Sequence, residues 1–444
     1  MLLYYPIHDQ WAEQGGGLLR HFDGGLEEGF EGTTLKRAAD HMVEQGYSFD
    51  FISDRQLADI SYSDGELSGQ GQSYQTIVVP QSQFIPLESL EKLINLAQNG
   101  AEIVLLGGVP EGVPGLAELE NRQEQYQKLI DQLQFSQVSS MNVASVGDGR
   151  ILRGDELDPL LESVGVFREQ MVDQGLQYVR RSYEHGHTYF ITNWGEERVD
   201  AWIPLTKSAS SGVIYDPMQQ NAGVAQVRST NEEGSEVYLQ IDAEESIILR
   251  TSNGSWNGPA HEYTEQAGEP VELSGEWTIS FTKGGPELPS EITTDTLGSW
   301  TNYGEAYQHF SGTGSYRIEF DRPADHQGDW NLNLGDVQES ATVYLNGEKL
   351  GTAIGPVFDL HIDSEQLQDQ NMLEVEVANS MANRIIWMEQ EGMTYKKFYN
   401  VNFPAYLGQN RNEMGLFDPS GWDPMASGLM GPVTLTPVNE KSWE

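Results

Sequence analysis

Cysteine is absent from the 444 residues, which excludes disulfides and thiol catalysis and leaves the redox compartment open. Lysine is also scarce, with nine residues in the chain. Together Lys and Arg number 25 against 68 Asp and Glu, a formal net charge of −43. Phosphate contacts need clustered cations, so nucleic acid and anionic membrane surfaces are excluded as partners. No apolar run approaches the roughly 18 residues of a membrane-spanning helix. The N-terminal "MLLYYPIHDQW" has neither a basic n-region nor an apolar stretch of signal-peptide length, and reads as the first strand of a domain. Missing too are a Gly-x-Ser-x-Gly elbow, an HExxH motif, an EF-hand loop and the eight β/α units of a barrel.

What is present divides into three segments. Residues 1–178 alternate strands and helices. "LLYYP", "YSFDFIS", "QTIVVP" and "AEIVLLGG" are strands, and "TTLKRAADHMVEQG" is a helix stopped at Gly46. "PLESLEKLINLAQNG" places Leu87, Leu90, Leu93, Ile94 and Ala97 on one face, with Pro86 at the start and Gly100 at the end. This order predicts a mostly parallel, doubly wound α/β sheet. Residues 179–265 are short alternating strands broken by Gly, Asn and Pro, a small antiparallel β-domain. Residues 266–444 read as all-β, about eight strands without helices, the pattern of a jelly-roll-like sandwich.

Several motifs carry a chemical and a structural reading. "GGVPEGVPG" after the "IVLL" strand is Gly-rich, but Pro110 and Pro114 lack the N–H groups a phosphate cradle needs, so a tight loop is expected. His185 and His187 in "EHGH" read as a solvent-facing turn, since no second cluster has metal-ligand spacing. Asp418 and Asp423 in "FDPSGWDP" fit turns better than a calcium loop. Trp11, Trp194, Trp300, Trp387 and Trp422 could stack on sugar rings, against a default role in packing. In "ATVYLNGEKLG", Ala341, Val343 and Leu345 point to one buried face, and Asn346-Gly347 forms a type I′ hairpin turn.

The stretches "FSGTGSYRIEF", "WNLNLGDVQESATVYLNGEKLG" and "NMLEVEVANSMANRI" resemble the sugar-binding-like jelly roll of large β-galactosidases and rhamnosidases. With "YYPIHDQW", "FDFISDRQL", "GVFREQMVDQGLQYVRR", "ELSGEWTISFTKGGPELP" and "SGLMGPVTLTP", the chain resembles the C-terminal half of α-L-rhamnosidases of glycoside hydrolase family 106 over nearly its whole length. The resemblance implies a flavodoxin-like (glutamine-amidotransferase-like) domain at 1–178, the small β-domain at 179–265 and a galactose-binding-like jelly roll at 266–444. Amidotransfer itself is excluded by the lack of cysteine. The family's catalytic carboxylates and its calcium site lie in a (β/α)₈ barrel upstream of the "YYP…W" segment. No catalytic, cofactor or metal residue is therefore carried over, and calcium would belong to that barrel. His8, Asp9 and Trp11 are candidates for a barrel interface or a sugar contact. Tyr4, Tyr5 and Trp11 would lie partly on that interface, with core packing the alternative for the two tyrosines.

The resemblance implies the accessory half of a rhamnosidase-like hydrolase acting on plant-type polysaccharide or glycoside, truncated or split from its barrel. Its partners would be carbohydrate and a separately encoded barrel, and its location periplasmic or secreted. The competing reading is a stand-alone carbohydrate-binding protein. With 68 acids, nearness of two carboxylates says nothing about glycoside cleavage. The acidity itself suits a saline environment, where salt shortens the reach of self-repulsion from roughly 10 Å at 0.1 M to 3 Å at 1 M. The melting temperature is accordingly expected to rise with NaCl, and a flat or falling curve up to molar salt would reject this reading of the charge.

Overall fold

The computed structural model describes residues 1–12, 30–69, 71–219, 221–230, 234–324 and 326–443. The protein is multidomain and mostly β-sheet, with a few helices. Its contacts divide it into two compact units, one made of Met1–Gly212, Gln226–Leu239 and Leu249–Ser255, the other of Val213–Ala225, Gln240–Ile248 and Trp256–Glu444.

The first unit is built on a seven-stranded sheet. Leu2–Tyr4 lies between Asp50–Ile52 and Thr76–Val79, and Glu102–Leu106 lies between Thr76–Val79 and Gly149–Gly154, all of these pairings being parallel. Two further strands, Met141–Val146 and Ser136–Val138, extend the sheet in antiparallel fashion. The sheet is therefore mostly parallel, as expected, with an antiparallel edge. A three-stranded meander over residues 61–74 was not foreseen. Thr76–Val79 is buried along its whole length, as expected for a strand covered on both faces. Alternation sends Leu2, Tyr4, Ile77 and Val79 into one core with the helix Leu87–Gln98. Leu3 and Val78 go into a second core with the helices Thr34–Glu44 and Leu157–Ser163. Tyr4 is thus a core residue and not part of an exposed interface, because its position in the strand points it inward.

The segment 165–181 clamps the end of this unit. Glu169 N–H donates to Gly46 O at 2.8 Å, and Tyr178 Oη donates to the same carbonyl at 2.8 Å. Gly46 has φ +80, and a Cβ there would lie 2.4 Å from Glu169 O, so no other residue fits. The Glu169 side chain is 0 % exposed. It is paired with Arg180, accepts from Tyr189 Oη at 3.1 Å and from Thr206 N at 2.9 Å. From there the hairpin Leu176–Tyr183 and Gly186–Asn193 runs in continuous antiparallel register.

In the second unit two sheets close on a single core. One follows the order Ile292–Thr294, Trp277–Gly285, Ser311–Asp321, Gln370–Ala378, Ser340–Leu345, Glu348–Ile354; the other contains Thr264–Gln266, Thr434–Glu440, Asp329–Asn333 and Asp359–Ile362. Trp277, Ile279, Tyr316 and Val375 from the first meet Trp330, Leu332, Leu360 and Leu435 from the second. These six- and five-stranded sheets exceed the eight strands expected. The helix Ala382–Gln390 also departs from the all-β reading. The Asn346-Gly347 hairpin is as predicted: both residues have positive φ, 54 and 85, and Ala341, Val343 and Leu345 are buried.

Two carboxylates show how the net charge is managed. Glu169 is buried against a cation, whereas burial pushes the Glu245 carboxyl up from near 4.5 to about 7, with Asp242, Asp216 and Asp359 adding repulsion. Removing one partner of a buried pair costs about 3–5 kcal/mol. Glu169→Ala is therefore expected to lower chemical-denaturation stability by that order, with the exposed Glu124→Ala within about 0.5 kcal/mol of wild type. Equal midpoints for the two variants would refute the role of the pair. For Glu245 the folded state binds the extra proton, so its contribution to stability falls as pH rises from about 4.5 through 7. Glu245→Gln is expected to melt higher than wild type at pH 8 and to match it at pH 4.5; a variant that is equally less stable at both values would contradict this.

Candidate functional site

In the first unit, the carboxyl ends of the parallel strands open onto two concavities. This is the edge at which open α/β sheets place ligands. One, of about 340 Å³, is lined by Tyr5, Asp9, Thr34, Gln81 and Glu111. The other, of about 480 Å³, is lined by Arg37, His41, Gln81, Gly107 and Asp158. His41 Nε2 lies 2.9 Å from Asp158 Oδ1.

The predicted contact residues His8, Asp9 and Trp11 sit on the helix Ile7–Ala12, which follows the first strand. Asp9 is engaged in structure: its carboxylate accepts from Gln83 N at 2.9 Å and Phe84 N at 2.8 Å. His8 Nε2 lies 3.4 Å from Asp54 Oδ2, while Asp54 Oδ1 accepts from Tyr4 Oη and Ser89 Oγ, each at 2.5 Å. Trp11 stands edge-on to His8 at 5.1 Å and is 60 % exposed. The three are neighbours in space, but only Trp11 offers a broad open surface.

The Gly-rich loop is a structural turn. Gly107 N–H donates to Gly154 O, and Glu111 and Gly112 both donate to Gln83 O. Arg122 grips the carbonyls of Pro114, Gly115 and Ala117 at 2.7 to 2.9 Å. These N–H donors are spent on backbone carbonyls, so the loop is not shaped as an anion cradle.

His185 lies at the exposed tip of its hairpin, but His187 does not lie in the turn as expected. Tyr183 pairs with Gly186, which makes Glu184 and His185 the two-residue loop and puts His187 inside the strand. Burial, with Arg180 and Lys207 nearby, pushes the His187 imidazole down to about 4. Among the described residues one trio brings metal-type ligand atoms within 4.8 Å of one another: Asp329, His361 and Asp363. Sequence reading passed over this trio, whose local trace is the "HID" spacing. Ser364 N donates to Asp329 at 2.7 Å, and all three side chains are partly open to water.

The aromatics divide clearly. Trp300 is core, Trp387 stacks on His309 at 5.8 Å, and Trp194 is 73 % exposed on a turn. Trp422 belongs to a pocket of about 350 Å³ in the second unit, formed with Tyr395, Phe398, Tyr399 and Phe417 over Ile385 and Ile386 of the helix Ala382–Gln390. Lys396 Nζ is held at 2.8 Å by Glu389 and at 2.6 Å by the Phe417 carbonyl, and Tyr395 Oη donates to Glu389 at 2.7 Å. Asn400 accepts from Phe417 N at 2.8 Å and donates to Gly415 O at 2.9 Å. The buried Asn383 pairs with both backbone groups of Met425, at 2.7 and 2.9 Å. Asp418 accepts from Ser420 N at 3.0 Å, and its hydrogen bonds to Ser420 hold its carboxyl below the usual range, so it caps a turn as expected. The pocket's lining is mostly aromatic and aliphatic.

Comparison with known proteins places these sites in context. Residues 25–219 match the model of the α-L-rhamnosidase family, glycoside hydrolase family 106. A putative β-glucuronidase of Formosa agariphila is 31 % identical over 196 residues, covering 39 % of this chain and 16 % of that protein. A rhamnosidase from Novosphingobium sp. PP1Y has a similar fold, with TM-score 0.64 and 22 % identity, over 88 % of this chain and 36 % of that one. The chain thus spans well under half the length of these relatives. Residues 25–219 are thus similar to α-L-rhamnosidases of glycoside hydrolase family 106, and the fold is similar to that of a rhamnosidase.

Proposed function

We propose that the chain is the accessory, non-catalytic part of an α-L-rhamnosidase-like glycoside hydrolase that acts on plant-type polysaccharide or glycoside. The observation that carries this is the match of residues 25–219 to the rhamnosidase family model. The 36 % coverage of the Novosphingobium rhamnosidase supports a catalytic barrel supplied from outside these residues, by truncation or a split gene. In this reading calcium belongs to that barrel, and the protein works in a periplasmic, secreted or saline setting. The strand order with helices on both faces supports a flavodoxin-like first domain, and two sheets around one core support a jelly-roll last domain. The preformed aromatic pocket favours one second reading, a carbohydrate-binding protein that works without catalysis.

The test is hydrolysis of an aryl α-L-rhamnoside and of rhamnose-containing pectic fragments by the purified chain. No turnover is expected. Turnover that survives repurification and is abolished by substituting a carboxylate of this chain would overturn the proposal. Neighbouring DNA separates the two readings: a barrel-coding frame beside this one supports the accessory part, and unrelated genes support the stand-alone binder.

A further inference from the structure

We propose that the pocket between the helix Ala382–Gln390 and residues 395–422 binds a neutral 6-deoxyhexopyranose. The inference rests on the rhamnosidase-like reading and assigns a sugar site to the second unit. The volume, about 350 Å³, lies at the small end of ligand pockets and is ample for one pyranose ring with part of a second. A pyranose presents C–H groups on one face and hydroxyls around its edge, so it needs a flat apolar wall and a few polar groups at the rim. Tyr399 and Trp422 among the lining residues offer such walls, and Tyr399 and Asn402 bring a hydroxyl and an amide to the same lining. Ile385 and Ile386 add aliphatic carbon to the lining, which suits a C6 methyl and gives a hydroxymethyl group no partner.

Charge selects further. Lys396 is the ammonium of the pocket, and it is already neutralised by Glu389 and the Phe417 carbonyl. A uronate would gain no free cation and would add repulsion from Glu389 and Asp418, so the site prefers an uncharged sugar. The walls are also fixed in advance. Asn400 ties the loop to Phe417, and Trp422 Nε1 donates to Asn410 at 3.3 Å. Yet Phe398 and Tyr399 remain 75 % and 55 % exposed in a chain with 43 excess negative charges. Ordered aromatics left open in so polar a surface are what a stacking ligand requires.

Saturation-transfer NMR with methyl α-L-rhamnoside tests this on the full chain. Transfer to the ring protons and the C6 methyl is expected, with weaker transfer to methyl α-D-mannoside and none to D-glucuronate. Trp422→Ala is expected to weaken binding by about tenfold, equivalent to ~1.4 kcal/mol. Tyr399→Ala, at an exposed position where the fold has little at stake, is expected to do the same with an unchanged circular dichroism spectrum. Absence of transfer from the rhamnoside, equal transfer from all three sugars, or binding indifferent to both substitutions would each overturn the site. The outcome is independent of the hydrolysis assay: failed binding leaves the accessory role standing, and turnover by this chain would sink that role with the pocket intact.

Discussion

The Glu169 carboxylate is fully buried in a protein that carries 43 excess negative charges, and the first unit is organised around making that burial possible. An ionised carboxylate leaves water at a cost of several kcal/mol, which is recovered only by close pairing and saturated hydrogen bonding. Arg180, Tyr189 Oη and Thr206 N provide both. Each partner comes from a different part of the chain, so satisfying one side chain fixes the segment 165–181, the hairpin that follows it and the strand Val199–Leu205. The same segment supplies the N–H that closes on Gly46, at the end of the helix Thr34–Glu44. All of these residues lie within the stretch that matches the rhamnosidase family model.

Scarcity of cations extends this logic. With 25 Lys and Arg for 68 acids, many of the positive groups sit at joints. Arg122 gathers three carbonyls of the loop 114–117, and Arg322 gathers those of Ser364, Leu367 and Gln327. Arg150 pairs with Glu102 across two parallel strands, and Lys396 closes the aromatic pocket. Around Glu245, burial and the repulsion of Asp242, Asp216 and Asp359 push the carboxyl up to about 7.

Much of the scaffold was legible because its signals are local. The helix Leu87–Gln98 follows from 3.6-residue spacing between Pro86 and Gly100, and the 340–354 hairpin from strict alternation around Asn346-Gly347. Signals failed where structure depends on distant partners. Residues 136–146 are too polar for a strand pattern to stand out, and they pair as an antiparallel edge beside Gly149–Gly154. The helix Ala382–Gln390 follows Met381, which offers no side-chain cap, so nothing announces its start. The "EHGH" spacing shows a turn but not its centre: Gly186 is the first residue of the return strand, which places His187 inside that strand. The pocket was least legible: its walls come from irregular backbone held by Asn383, Asn400 and Asn410, whose pairings leave no periodic trace.

The central proposal is that residues of this chain hold carbohydrate without cutting it. A crystal structure of the chain grown with methyl α-L-rhamnoside addresses that claim most directly. The account expects the intact glycoside in the second unit, stacked between Tyr399 and Trp422, with its methyl toward Ile385 and Ile386. An empty pocket, with a cleaved sugar lying between two carboxylates elsewhere in the chain, would contradict it.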